Sequence, residues 1–502
     1  MKGLALAHPF VRWMLPTVAL SAIVAAPSGA AATGGWSSYG PDLANSRSQP
    51  RPAGIGAATA PRLVERWARR HTEPVDGTTY SVTGSPAVVE GTAYYADWTG
   101  RLMAVELQTG RMRWSTKVST SASSISAAVN SSPAVAGGMV YVSALEGRVV
   151  AVSARTGAIR WSTVLDTHGL TTLYSSPVVS GHRLVVGVAS AQNFISPGPY
   201  DFRGSVAALD TRTGKILWQT YTMPAHLAGR GGSVWGTAAI DERRGIAYIG
   251  TGQAYSRPVG RLTDALLALR LRDGSLAWHR QFTRNDVWNA FGEFGGKDYD
   301  IGASPNLFRI GRRDVVGVGD KGGRYATLDR TNGATVWRRQ LCAGSHLGGI
   351  MTTAAVARES IWVACNRPSA AALDPLATDP NAPYFDWPLH KPPSYTDIFR
   401  LSAASGRTVW RRRVPAVTFG ALTEAGGALF VPNTTGTFRA LNARNGRTLW
   451  KTHPGAPIGG GATVAGGAAL IGYGVQFGGA ERAVAPPPGS RGGIVAYTVR
   501  RR

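Results

Sequence analysis

Ala208-Leu209-Asp210-Thr211-Arg212-Thr213-Gly214-Lys215-Ile216-Leu217-Trp218 is the clearest copy of a phrase that runs through this chain of 502 residues. The phrase reads small residue, Leu or Val, Asp or a substitute, two residues, then Thr, Asn, Asp or Ser, then Gly, three residues and Trp. Further copies end at Trp114, Trp161, Trp278, Trp337, Trp410 and Trp450, each with a glycine four positions earlier (Gly110, Gly157, Gly274, Gly333, Gly406, Gly446). Self-similarity of this kind marks a repeat architecture.

Each copy reads as a β-hairpin. The apolar run before the motif is a strand, the Thr-Gly or Asn-Gly pair is a tight turn in which Gly takes positive φ, and the return strand carries the Trp. One hairpin cannot bury an indole, so a neighbouring unit must cover it. Two more strand signals precede each motif, as in Ser85-Pro86-Ala87-Val88-Val89 and Gly91-Thr92-Ala93-Tyr94-Tyr95-Ala96 ahead of Trp114, or Ser176-Pro177-Val178-Val179 and Leu184-Val185-Val186-Gly187 ahead of Trp218. Four strands per unit, stacked radially, give a β-propeller.

The chain ends complete the count. Leu63-Val64-Glu65-Arg66-Trp67 is a lone outer strand, while Gly461 to Val464, Ala468 to Gly472 and Gly493 to Tyr497 are three strands with no closing Trp. Joined, they make an eighth blade and leave no open edge. The expectation is an all-β, eight-bladed propeller of four-stranded antiparallel blades over 62–502, with Trp-docking hairpins and the last blade closed by the N-terminal strand. Residues 33–61 form an extended arm. Two insertions, Ala191 to Phe202 in the third blade and Arg367 to Asp397 in the sixth, are loops of the kind that shape a binding face.

Residues 1–32 read as a signal peptide: Lys2 and Arg12, an apolar run from Trp13 to Ala26 too short to span a bilayer, then Ala30-Ala31-Ala32. An exported, extracytoplasmic protein is expected. In that compartment Cys342 and Cys365, the two cysteines of the chain, are expected to pair. The formal charge of +25 is mostly arginine at turns and on outer strands (Arg111, Arg113, Arg338, Arg339, Arg411 to Arg413). No nucleic-acid motif accompanies it. A solvated basic rim follows, with an anionic cell-envelope polymer as a candidate partner, and a monomer is expected. Metal-ligand clusters of the zinc kind and nucleophile-elbow motifs are missing.

The repeats resemble the pyrroloquinoline quinone (PQQ) propeller repeat. With the arm beginning Trp36-Ser37-Ser38-Tyr39-Gly40, the chain is similar over residues 36–502 to the PQQ-dependent alcohol dehydrogenases, especially their polyvinyl-alcohol-dehydrogenase-like branch. Non-catalytic scaffolds of the BamB type share the repeat, so it speaks for fold more than for activity. Gly231-Gly232-Ser233-Val234-Trp235-Gly236 and Gly250-Thr251-Gly252-Gln253 resemble the enzymes' fourth blade. That likeness implies Trp235 as the ring supporting one face of the quinone. Asp320-Lys321-Gly322-Gly323-Arg324 likewise implies Lys321 as a quinone contact.

The acidic positions depart from the enzymes. The family's calcium-ligating Glu aligns with Gln192, its Asn ligand with Gln253, and its catalytic Asp with Asn289 in Asp286-Val287-Trp288-Asn289. Amide oxygens at Gln192 and Gln253 could still coordinate calcium, but without neutralising it, and Asn289 cannot accept a proton. The vicinal cysteine pair and the haem motif are also missing. Glu293, Asp298 and Asp300 follow closely, and Asp300, or else Asp286, is the expected base. Two functions follow. One is a secreted quinoprotein alcohol dehydrogenase, with PQQ on Trp235, Lys321, Gln192, Gln253 and Asn289, acting on an alcohol or polymer. The other is a cofactor-free propeller serving as an extracytoplasmic binding or assembly scaffold.

Overall fold

The structure, a computed structural model, describes residues 1, 34–71, 81–119, 129–291, 296–369, 393–474 and 492–500. The proposed signal peptide, Glu293 and most of the second insertion lie outside them. Eight sheets, each built on four antiparallel strands, form the ring. In blade three the strands are Val178–Ser180, Arg183–Ser190, Ser205–Asp210 and Ile216–Tyr221, paired in chain order. In blade eight Thr463–Ala465, Ala468–Tyr473 and Gly492–Val499 are followed by Leu63–His71 as the outermost strand, antiparallel to Gly492–Val499. The core lies between neighbouring sheets: Leu102 and Ala104 of blade one pack with Val140, Val142 and Val150 of blade two.

The motif turn is longer than the tight pair read from the sequence. The Asp210 N–H donates to the Lys215 carbonyl and the Gly214 N–H to the Asp210 carbonyl, each at 2.8 Å. The register shifts between Ala208 and Leu209, so the loop holds four residues, with Gly214 at φ +74°. The Asp210 carboxylate fixes it by accepting the N–H groups of Arg212 and Thr213, an Asx turn. That is the reason for Asp at this place in the phrase.

The glycine does a second job at the blade seam. Trp114 donates its indole N–H to the Ala154 carbonyl of the next blade at 2.9 Å, and its ring lies on Gly157, where a Cβ would come within 2.8 Å of the indole. Trp161 on Gly214, Trp218 on Gly274 and Trp337 on Gly406 repeat the arrangement, with N–H bonds to Thr211, Leu271 and Ala403. Trp67 does the same on Gly110, bonding Leu107.

The inner strands are tied by hydroxyls. The N–H of Ser85 donates to Ser132 Oγ, that of Ser132 to Ser176 Oγ, that of Ser176 to Thr237 Oγ1, that of Thr237 to Ser304 Oγ, and that of Ser304 to Thr353 Oγ1. The recurrent Ser-Pro opening is therefore a blade-to-blade link. Inside this ring runs the segment 36–49. Trp36 pairs with Val88, the carbonyls of Ser37, Leu43, Ala44, Ser46 and Arg47 accept N–H groups of Val135, Ile240, Leu307, Val356 and Glu424, and the Gln49 amide reaches Val464. Seven blades are stitched to one strand of chain. Arg47, fully buried, donates to Tyr39, Ser85, Leu422, Thr423 and Ala462. Burial lowers its guanidinium to about 10, against the pull of Tyr39 and Asp42.

Cys342 and Cys365 form a disulfide 23 residues apart in sequence. It ties the exit of blade five's outer strand, Thr335–Gln340, to the second strand of blade six, Ser360–Arg367. Closing a loop of that size is worth about 3 kcal/mol on the chain-entropy account.

Candidate active site

Antiparallel strands sort the connections by face. The motif turns and the links between first and second strands emerge on one side. The links between second and third strands, and between blades, emerge on the other, and every candidate residue sits there. Bridges of Arg203 to Gly231, Gly231 to Ala254 and Ala254 to Val287 sew four of these connections together.

Trp235 stands between blades three and four and is held on both flanks: the Val234 N–H donates to the Val188 carbonyl and the Thr237 N–H to Ser304 Oγ. It is half-buried in a run of otherwise buried residues, 231–241. The far edge of its indole lies on Gly302, where a Cβ would fall 1.7 Å from Cη2, so any larger residue at 302 would displace the ring. Its indole N–H donates to Asp300 Oδ2 at 2.9 Å. Lys321 Nζ lies 5.6 Å from the ring centroid and bridges Asp298 Oδ2 at 2.9 Å and Asp300 Oδ1 at 2.8 Å. The Lys321 N–H also donates to the Asp300 carbonyl.

These charges are nearly dry, with Lys321 6%, Asp298 1% and Asp300 4% exposed at the side chain. Burial pulls the Lys321 ammonium down, but Asp298 and Asp300 outweigh it and hold the group above its ordinary value. Burial pushes Asp298 well above the usual carboxylate range, Lys321 pulling the other way and Asp300 adding to the push. A buried pair of this kind is weak support for stability and better explained by a task.

Trp235, Lys321 and Asp300 thus meet; the other expected residues are engaged elsewhere. Asp286 accepts the N–H groups of Lys297, Asp298 and Tyr299 at 2.7, 3.2 and 2.8 Å, which anchors the backbone carrying Asp298 and Asp300. The Gln192 amide bonds Pro199 and Asp201 through Nε2 and accepts from Asp201 and Phe202 through Oε1, all within the first insertion. Asn289 bonds Tyr255 and Phe291, and Gln253 donates to the Trp288 carbonyl. Among the described residues no group of three or more His, Cys, Asp or Glu side chains is placed to hold a metal ion. The donor set does not make a calcium site. A planar quinone does fit: Trp235 offers a ring seated in a cradle that only glycine leaves open, beside a fixed ammonium.

Sequence reading missed Gly302 and the joint hold of Lys321 on both aspartates. The Asp298-Tyr299-Asp300 spacing does not announce the second, since Asp298 takes a left-handed backbone, φ +54°, and strand alternation does not apply. A cavity of about 550 Å³ lined by Arg183, Glu242, Arg244, Arg270 and Arg272 lies on the opposite face and holds none of these residues.

The ring and its mouth define a PQQ-type propeller, and comparison with known proteins agrees. Residues 166–340 match the family described as glucose/ethanol/alcohol dehydrogenase, beta-propeller domain. Residues 57–220 and 394–498, together more than half of the chain, match the PQQ-repeat family described as outer membrane protein assembly factor BamB. The chain belongs to the PQQ-type β-propeller repeat family.

Among its relatives is a polyvinylalcohol dehydrogenase of a Pseudomonas species, 27% identical over 399 residues, covering 65% of this chain and 54% of the relative. Another, from Sphingopyxis sp. strain 113P3, is 35% identical over 175 residues, covering 30% of this chain and 27% of the relative. The chain therefore spans about half the length, or less, of these curated relatives. The solved quinohemoprotein alcohol dehydrogenase ADHIIG of Pseudomonas putida HK5 superposes with a TM-score of 0.73 at 18% identity, over 94% of this chain and 81% of that one, which speaks to fold.

Proposed function

We propose that this protein is a quinoprotein-type alcohol dehydrogenase of the polyvinyl-alcohol-dehydrogenase kind. One observation carries the reading: a half-buried Trp235 ring, seated on Gly302, shares Asp300 with Lys321. PQQ, when bound, supplies the two-electron acceptor that takes an alcohol to a carbonyl. Trp235 presents the stacking face. Lys321 holds a permanent positive charge beside it. Asp300 takes the proton of the substrate hydroxyl, and Asp286 holds the loop that aims it. No role is given to calcium. The relatives' names point to an alcohol or a polymer of alcohols as substrate.

The test is purified protein mixed with PQQ at micromolar concentration. Quinone absorbance is expected to co-elute with the protein and dye-linked oxidation of a secondary alcohol to follow. Protein that elutes bare would favour the second reading, a cofactor-free scaffold. The amides at Gln192, Gln253 and Asn289 and the BamB-family match favour that reading.

The apolar run Trp13 to Ala26 behind Lys2 and Arg12 and the Cys342–Cys365 bridge support action outside the cytoplasm; a fusion reporter that stays reduced and cytoplasmic would refute it. Exposed arginines such as Arg338, Arg339 and Arg411 to Arg413 support contact of a monomer with anionic envelope polymer. Salt-insensitive passage over a polyanion matrix would speak against that.

A further inference from the structure

Asp264 has no place in the chemistry described so far. It is fully buried, and among the described residues neither of its carboxyl oxygens has a hydrogen-bonding partner. Its backbone is left-handed, φ +48°, which an aspartate tolerates better than most residues. That backbone is fixed against the site. The Asp264 N–H donates to the Gly252 carbonyl at 3.0 Å, and Gly252 packs on Asp300, where a Cβ would stand 3.3 Å from Oδ2. One residue earlier, the Thr251 carbonyl accepts the Ile301 N–H. The segment 251–264 therefore backs Asp300 directly.

The charges that act on Asp264 are Asp286, Asp300, Asp298 and Lys321. Three carboxylates already oppose one ammonium. An ionised carboxylate buried without a partner is too costly to persist, and such a group neutralises instead. Burial, with Asp286, Asp300 and Asp298 adding to it, moves the Asp264 carboxyl well above its usual range, and Lys321 offsets only part.

We propose that Asp264 is the proton-bearing member of the site: a neutral carboxyl at neutral pH that fixes the charge against which Asp298, Asp300 and Lys321 work. It is a positioning residue. It keeps a further negative charge away from Asp298, Asp300 and Lys321. The proposal builds on the residues of the proposed active site but not on turnover. Its tests use cofactor-free protein, so either can fail alone.

Infrared spectra of protein labelled with carboxyl-13C aspartate should show a protonated-carboxyl stretch at pH 7. Asp264→Asn should abolish that band, and Asp298→Asn should keep it. Asn also accepts a left-handed backbone, so the variant should fold; Asp264→Ser is the second variant should it not. Denaturant unfolding gives an independent readout. Between the unfolded pKa of about 4 and the raised native one, the native state binds one proton more than the unfolded state. Wild-type stability then falls with rising pH, while that of Asp264→Asn carries no such loss. The folding constant of the variant should gain on wild type by up to about tenfold per pH unit. A missing band at pH 7, a band lost with Asp298→Asn instead, or a pH-independent ratio of folding constants would each overturn the proposal.

Discussion

Trp114 and Trp235 use one packing device for two purposes. Each lays its indole on a glycine of the next blade, Gly157 or Gly302. At the outer seam the ring is almost wholly buried and its N–H meets the Ala154 carbonyl, a neutral partner with nothing to do but be satisfied. At the mouth the ring is half-open and its N–H meets the Asp300 carboxylate, which a buried lysine also holds. What separates a fold-making tryptophan from a candidate site tryptophan here is not the ring's seat. It is the charge at the end of its N–H bond and the solvent left over its face.

The most severe way to break that contrast is Asp300→Asn. The amide still accepts the indole N–H, so Trp235 keeps its place and PQQ retention should persist. The hydroxyl proton loses its acceptor, and alcohol oxidation should fall by ~10²–10⁴-fold. Equal rates for wild type and variant would remove Asp300 from the chemistry.

Lys321→Met is next in size and acts on stability first. Taking one partner from a buried ion pair leaves the other uncompensated and typically costs about 3–5 kcal/mol. Here two carboxylates are left. The loss should be full at pH 8 and shrink on acidification, because Asp298, already raised by burial, then takes up a proton. Denaturant midpoints at pH 8 and pH 5 measure it. Losses equal at both values would mean that the lysine is not neutralising the pair.

The scaffold was far easier to read than the site. Blade count, strand number and seam residues follow from a phrase repeated seven times within the chain, so that each copy checks the others. The turn was misjudged by two residues because Asp210 caps a four-residue loop, and a Thr-Gly pair does not reveal where the register shifts. At the mouth nothing repeats. Trp235, Lys321 and Asp300 were named one by one from resemblance and from a shortage of alternatives. Their meeting depends on connections from three blades, which no local pattern encodes. Gly302 and Asp264 carry no signal in the sequence. Only packing reveals that one makes room for a ring and that the other is sealed in without a partner.

The finest test compares Trp114→Phe with Trp235→Phe, since each keeps most of the ring and deletes the N–H. At the seam the Ala154 carbonyl is left buried without its donor, which should cost about 1–3 kcal/mol and leave PQQ retention and pH dependence untouched. At the mouth Asp300 keeps Lys321 but loses the indole N–H. Stability should fall by at least as much, since the partner left behind is a buried charged group, but here alcohol oxidation with PQQ should fall too, by about tenfold, the weight of one hydrogen bond to a charged group. An oxidation rate unchanged by Trp235→Phe would mean that the two tryptophans do the same work and that the mouth is only another seam.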